Sequence, residues 1–159
     1  MRGPSNCPVP FPMVQSFRVL LVEDDDSLRS CLGELLASHG WEVGATGHAM
    51  EALRLMQRHR FDFSLLDFHL PGMTGLELFQ QLAAVRPLPA ILMSGLATAE
   101  ESAAAQHAGF FAFLRKPLDL ARLRQALDLL IKTHFGGPLV HHRPGQPPIP
   151  PSPPARPAR

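Results

Sequence analysis

Short apolar runs alternate with helix-like patterns along the middle of the chain. The first run, Val19–Val22, is continuously apolar, which is typical of a parallel strand covered on both faces. The next segment repeats apolar residues at the i, i+3, i+4, i+7 and i+8 positions of one helix face: Leu28, Cys31, Leu32, Leu35 and Leu36. The pattern predicts a strand and then an amphipathic helix that ends at Gly40, with Cys31 as a small buried residue.

Four more units of the same kind follow the first. Their predicted strands lie at Trp41–Ala45, Phe61–Leu66, Ala90–Met93 and Phe110–Leu114. The helix after the fourth strand covers roughly Thr98–Ala108, and Asp119 is placed to cap the last helix. Five such units predict an α/β protein: a three-layer, doubly wound, five-stranded parallel sheet of order 2-1-3-4-5, with flavodoxin-like topology.

The two flanks differ in composition from this middle segment. We expect residues 1–16 to be a disordered, proline-containing leader and residues 17–135 to be the folded domain. Residues 136–159 hold nine prolines and no acidic residue, so we expect a disordered, proline-rich tail.

Charge and cysteine content narrow the class of protein. All fourteen Asp and Glu lie in residues 17–135 against eleven Lys and Arg, and no basic block there indicates direct binding of nucleic acid. Prolines interrupt the N-terminus, so neither a signal peptide nor a membrane span is predicted. Two cysteines do not make a disulfide framework. These features predict a cytoplasmic protein.

Reactive side chains follow four of the predicted strands. Glu23 and Asp24 follow the first strand, Asp67 the third, Ser94 the fourth and Lys116 the fifth. The carboxyl ends of parallel strands meet at one edge of a sheet, so we expect these groups to converge. Clustered carboxylates favour a hard cation such as Mg²⁺, and a carboxylate near such a cation can attack phosphorus to give an acyl phosphate.

Each motif also has a structural explanation. An acidic run often lies at a helix N-terminus, where we expect Asp25 and Asp26 to act as caps. Asp67 could cap a loop, Ser94 could form a turn, and Lys116 could be a surface lysine. The coincidence of all four strand ends favours phosphate chemistry.

Four segments together resemble the receiver domain of bacterial two-component response regulators, over roughly Phe17 to Phe135. They are Val22–Asp25, Leu65–Gly75, Met93–Gly95 and Lys116–Pro117. The resemblance implies a receiver fold of the stand-alone type, which is a phosphorylation switch and not an enzyme. It also implies that Asp67 accepts a phosphoryl group from a sensor histidine kinase or a phosphotransfer protein.

The same resemblance assigns the Mg²⁺ ligands. Asp24 and Asp67 would bind the metal directly, Glu23 would act through water, and the backbone carbonyl of His69 would complete the site. The side chain of His69 lies where family members tune the lifetime of the acyl phosphate, and we expect the same role here.

The resemblance assigns the switch residues too. Lys116 would pair with the phosphoryl oxygens, and the bond before Pro117 is usually cis. The Ser94 hydroxyl would donate a hydrogen bond to the phosphoryl group and move inward. Phe113 would be the switch aromatic. This position is often tyrosine, so an output that needs a hydroxyl there is in question. Gly95 replaces the more usual alanine, which leaves phosphoryl access open.

Two other functions fit part of the pattern. A phosphatase of the haloacid-dehalogenase type uses an aspartyl nucleophile but places a second Asp two residues later, where this chain has His69. A phosphorylation-independent scaffold of the same fold would not need the acidic pair or Lys116. We therefore expect a response regulator that signals through a downstream protein, without direct contact to nucleic acid or membrane.

Overall fold

The core of the protein is a five-stranded parallel sheet. The computed structural model describes residues 16–136 and 149–150, and the other residues of the predicted leader and tail lie outside this description. The strands are β1 (Arg18–Val22), β2 (Glu42–Thr46), β3 (Phe63–Asp67), β6 (Ala90–Ser94) and β7 (Ala112–Arg115). Their order is β2-β1-β3-β6-β7, which confirms the predicted 2-1-3-4-5 arrangement.

Five helices cover the two faces of this sheet. They are α1 (Asp26–Ser38), α2 (Ala49–Arg58), α3 (Gly75–Val85), α4 (Ala99–Ala108) and α5 (Leu120–Phe135). A short antiparallel hairpin, β4 (His69–Leu70) with β5 (Met73–Thr74), occupies the segment before α3, where the sequence indicates no strand.

Two separate apolar cores lie on opposite faces of the sheet, and β1, β3, β6 and β7 contribute residues to both. In β1, Leu20 and Val22 pack with α2, α3 and α4, while Val19 and Leu21 pack with α1 and α5. All four side chains are fully buried. Because each buried side chain of this size contributes about 1.5–3 kcal/mol, the two cores hold the three predicted layers together.

Polar side chains cap four of the helices at their N-termini: α1, α3, α4 and α5. Asp25 caps α1 by accepting a hydrogen bond from the N–H of Leu28 at 2.8 Å. Asp119 caps α5, as predicted, by accepting from the N–H groups of Ala121 and Arg122. At α3, Thr74 and Glu77 satisfy each other's backbone N–H groups in a complete capping box.

The prediction that Cys31 is buried is wrong. The buried residues of α1 are Leu32 and Leu36, which lie one turn apart on the sheet side of the helix, and Cys31 is exposed. A stripe on i and i+4 positions is narrower than the face that the apolar pattern indicated, so Cys31 falls outside it.

An aromatic cluster closes the end of the sheet where the strands begin. Trp41, just before β2, meets Phe17 edge to face with ring centroids 5.5 Å apart and meets Phe63 in the same way at 5.6 Å. Phe135, the last residue of α5, packs on Phe17 at 5.1 Å. This cluster lies at the opposite end of the strands from the predicted chemistry.

Within residues 16–136 and 149–150, every helix falls short of the length and apolar character required to cross a bilayer.

Gly75 allows β3 and α3 to approach each other closely. A Cβ at Gly75 would lie 2.3 Å from the backbone oxygen of Asp67, which is too close for any side chain. We predict that Gly75→Ala lowers the free energy of unfolding by about 1–3 kcal/mol because the backbone must move. Urea denaturation measures the change.

Gly33, in the middle of α1, is the matched control. A Cβ there would meet no atom within 4 Å. Gly33→Ala should raise the free energy of unfolding by about 0.5–1 kcal/mol through helix propensity. Equal stability of Gly75→Ala and the unchanged protein would contradict the predicted clash.

Candidate functional site

Three carboxylates meet at the carboxyl edge of the sheet. Glu23 and Asp24 follow β1, and Asp67 ends β3, the strand beside it. One oxygen from each carboxylate lies within 4.8 Å of the others. Glu23 is 0% and Asp67 3% exposed, while Asp24 is exposed. In the described part of the chain this is the only such group of three metal-ligating side chains.

Lys116 supplies the positive charge at the centre of this group. Its Nζ lies 2.7 Å from Glu23 Oε2 and 3.1 Å from Asp67 Oδ1. Its backbone N–H donates to the carbonyl of Ser94 at 2.8 Å, which fixes the end of β7 against the end of β6. The bond from Lys116 to Pro117 is cis, as the resemblance implies. One ammonium therefore faces two buried carboxylates.

Burial dominates the protonation of the cluster. Burial raises the pKa of Glu23 to about 7, although Lys116 opposes the shift. The pKa of Asp67 is also raised, first by burial and again against the effect of Lys116. Burial lowers the pKa of Lys116, but the two carboxylates outweigh it and the net shift is upward. The cluster would therefore be stabilised by an additional positive charge, supplied by a proton or a bound cation.

The chemistry of these donors fits Mg²⁺. Carboxylate oxygens are the ligands that hard divalent cations prefer, and neither cysteine nor a histidine ring belongs to the group. The fully buried carboxylate of Glu23 and its acidic neighbours would be relieved of repulsion by a cation.

His69 lies beside the cluster, at the start of β4. Its backbone N–H approaches Asp67 Oδ1 at 3.4 Å. Its ring nitrogen Nε2 lies 2.9 Å from Oε1 of Glu101 on α4, a carboxylate outside the group of three.

Glu101 was not identified from the sequence. Its other oxygen, Oε2, accepts a hydrogen bond of 2.6 Å from the Ser94 hydroxyl, and both residues are buried. Burial raises the pKa of Glu101, but the bonds from Ser94 and His69 outweigh it and leave the pKa below its usual range. The position of Glu101 three residues after Thr98 suggests only a helix cap, so sequence alone does not indicate this contact.

Phe113 lies in β7, away from the carboxylates. It pairs in register with Leu92 of β6 and packs, half-buried, against the core on the α2–α4 side. With Ala97, Thr98 and Lys116 it lines a cavity between α4 and the loop before α5. Phe113 therefore faces the same cavity as the segment that joins Ser94 to α4.

A family model described as the response regulator receiver domain matches residues 19–128. Among curated proteins, the chain is 35% identical over 111 residues to the transcriptional regulatory protein GlrR of Escherichia coli K12, covering 69% of this chain and 25% of GlrR. It is 30% identical over 115 residues to the transcriptional regulatory protein PdtaR of Mycobacterium tuberculosis H37Rv, covering 72% of this chain and 56% of PdtaR. The chain thus spans from a quarter to just over half of these relatives.

Solved structures give the same result. A CheY-like response regulator receiver domain protein from Methanospirillum hungatei JF-1 matches with a TM-score of 0.72 and 28% identity, covering 77% of this chain and 98% of that one. The non-phosphorylated HemR receiver domain from Leptospira biflexa matches with a TM-score of 0.67 and 30% identity, covering 72% of this chain and 93% of that one.

The raised pKa of Glu23 predicts how stability depends on pH. Burial raises it from 4.5 to about 7, so the folded state holds the proton more tightly than the unfolded state does. Without metal, the contribution of Glu23 to the free energy of unfolding should therefore fall as pH rises from 4.5 to about 7. Urea denaturation in EDTA at several pH values across this window measures it.

Glu23→Gln carries no titrating proton, so its stability should fall less over the same window. Glu34→Gln, an exposed position on α1, serves as the control and should follow the unchanged protein. If Glu23→Gln keeps the full pH slope, Glu23 is not the group responsible.

Proposed function

This chain belongs to the response regulator receiver domain family, and from that membership we propose that it is a phosphorylation switch whose acceptor is Asp67. The observation that carries the proposal is Lys116, whose ammonium lies 3.1 Å from Asp67 and 2.7 Å from Glu23. An ammonium at this position can pair with a phosphoryl group on Asp67. The third carboxylate, Asp24, leaves the cluster open to solvent on one side.

The proposed reaction is transfer from a phosphohistidine on a sensor kinase or a phosphotransfer protein. A carboxylate oxygen of Asp67 attacks phosphorus, and an O–P bond forms while the N–P bond breaks. The electron pair of the broken bond returns to the imidazole nitrogen, which is then free to take up a proton. Lys116 stabilises the charge on the phosphoryl oxygens throughout.

Asp24, Asp67, the His69 carbonyl and, through water, Glu23 would hold Mg²⁺. When bound, Mg²⁺ supplies positive charge next to the phosphoryl oxygens. Glu23 and Asp24 also keep the site acidic enough to attract the ion.

The output is proposed to be a change in protein contacts. The Ser94 hydroxyl would donate a hydrogen bond to the phosphoryl group. Phe113 would then change rotamer and alter the face made by α4, β7 and α5. The product is a modified state of the chain itself, so we propose a switch in the cytoplasm that acts on a downstream protein and turns over no metabolite.

The site offers less support to a phosphatase. Its second Asp would lie two residues after the nucleophile, but His69 is there and its ring pairs with Glu101. A phosphorylation-independent scaffold is the alternative, although it gives no role to a buried ammonium shared by two carboxylates.

We predict one labile phosphoryl adduct after incubation with acetyl phosphate and Mg²⁺, or with a phosphorylated kinase. Intact mass and Phos-tag gels detect it. Asp67→Asn should abolish the adduct because the amide is a poor nucleophile, and EDTA should abolish it as well. Asp128→Asn, an exposed position on α5, should leave it unchanged. No adduct from either donor would favour the scaffold.

We expect His69 to influence the half-life of the phosphoryl adduct. Its backbone N–H lies 3.4 Å from Asp67 Oδ1 and its ring is held by Glu101, so we expect the ring to restrict the approach of water to Asp67. His69→Ala should therefore shorten the half-life. Gel analysis after donor removal follows the decay, with His107→Ala as the exposed control on α4. A half-life equal to that of the unchanged protein excludes this role.

A further inference from the structure

Glu101 joins three segments around the candidate switch residue. Its Oε2 accepts from the Ser94 hydroxyl at 2.6 Å, and its Oε1 lies 2.9 Å from His69 Nε2. Its backbone N–H donates to Thr98 Oγ1 at 3.1 Å. Only 8% of Glu101 is exposed, and its bond with Ser94 is buried, while the His69 ring at the other oxygen is half exposed. The carboxylate therefore ties the end of β6, the start of β4 and the first turn of α4 together.

A comparison with α3 indicates that Glu101 has been diverted from an ordinary capping role. Both helices begin with threonine followed three residues later by glutamate, the capping-box pattern. At α3 the box is complete, because Glu77 Oε2 accepts from the Thr74 N–H at 2.7 Å. At α4 only the threonine half is formed, and the Glu101 oxygens face Ser94 and His69.

The Ser94 hydroxyl has a single proton to donate. In the structure it goes to Glu101, while Ser94 Oγ accepts from the N–H of Ala97 at 3.2 Å. Donation to a phosphoryl oxygen on Asp67 therefore requires release of Glu101. The two acceptors exclude each other.

We propose that Glu101 is a latch: its carboxylate retains the Ser94 hydroxyl in the unphosphorylated protein, and phosphorylation of Asp67 withdraws that hydroxyl and releases the first turn of α4. The inference rests on the proposed function, which supplies the phosphoryl group. Glu101 is a positioning residue here, since it acts through Ser94.

The composition of α4 explains why this one bond controls the helix. Its buried residues are Glu101 and Ala105. A single alanine buries little apolar surface, so the helix has weak hydrophobic anchoring. The loop before it holds Ala97 at φ 45°, a left-handed conformation that is unfavourable for alanine. Loss of the contacts at Ser94 frees both the strained loop and the helix start.

The test uses the full chain with beryllium fluoride and Mg²⁺ as the phosphoryl mimic. Glu101→Ala should bind beryllium fluoride about tenfold more tightly, because a hydrogen bond to a charged group no longer opposes the bound state. The N–H groups of Glu101 and Ser102, which both bond to Thr98, should exchange fast in this variant with or without the mimic. In the unchanged protein they should exchange fast only when the mimic is bound.

Matched variants separate the latch from general damage. Glu100→Ala alters the exposed neighbour on the same turn and should behave as the unchanged protein. Glu101→Gln retains an oxygen that can accept from Ser94, so it should fold and give an intermediate affinity. In a Ser94→Ala background, Glu101→Ala should no longer change the affinity, which a merely structural role would not produce.

The outcomes distinguish the two levels of the argument. If the unchanged protein, Glu101→Ala and Glu101→Gln all bind the mimic with the same affinity, the latch is refuted and the proposed function stands. If Glu101→Ala changes affinity equally in both backgrounds, the latch is also refuted. If the unchanged protein does not respond to the mimic, the proposed function fails and the latch fails with it.

Discussion

The structure depends on the withdrawal of two neighbouring carboxylates from water. Glu23 and Asp67 end adjacent strands, and burial of each ion costs several kcal/mol unless a counter-charge is at hand. Lys116 provides this counter-charge from the residue after β7, the edge strand of the sheet. The hydrogen bond from its backbone N–H to the Ser94 carbonyl holds it in place. The order of the strands therefore also determines the charge balance of the site. Without Lys116 after the last strand, the two carboxylates would lose their ammonium partner.

The apolar pattern was sufficient for the fold because the sheet is covered on both faces. The continuous run of β1 predicted a strand covered on both faces, and its alternate residues do enter two cores. The width of the buried face of a helix was harder to predict. Cys31 continues the periodic pattern of α1, but only the three-dimensional contact area decides where the buried stripe ends.

The site divides in the same way. Glu23, Asp24, Asp67 and Lys116 follow strands, so the topology alone brings them together. Glu101 comes from a helix, where the direction of a side chain depends on which acceptor competes for it. Thr74–Glu77 and Thr98–Glu101 are indistinguishable as sequence patterns, yet one closes a cap and the other reaches a strand end. The β4–β5 hairpin escaped prediction because two-residue strands carry no periodicity.

The aromatic cluster has a spectroscopic consequence. Trp41 is the only tryptophan of the chain, and it is held edge-on between Phe17 and Phe63 at the end of the sheet remote from the carboxylates. Its emission therefore reports whether the domain is folded, from the end of the sheet opposite Asp67. The molecule carries a built-in reference signal, against which a probe attached to the exposed Cys31 could be calibrated.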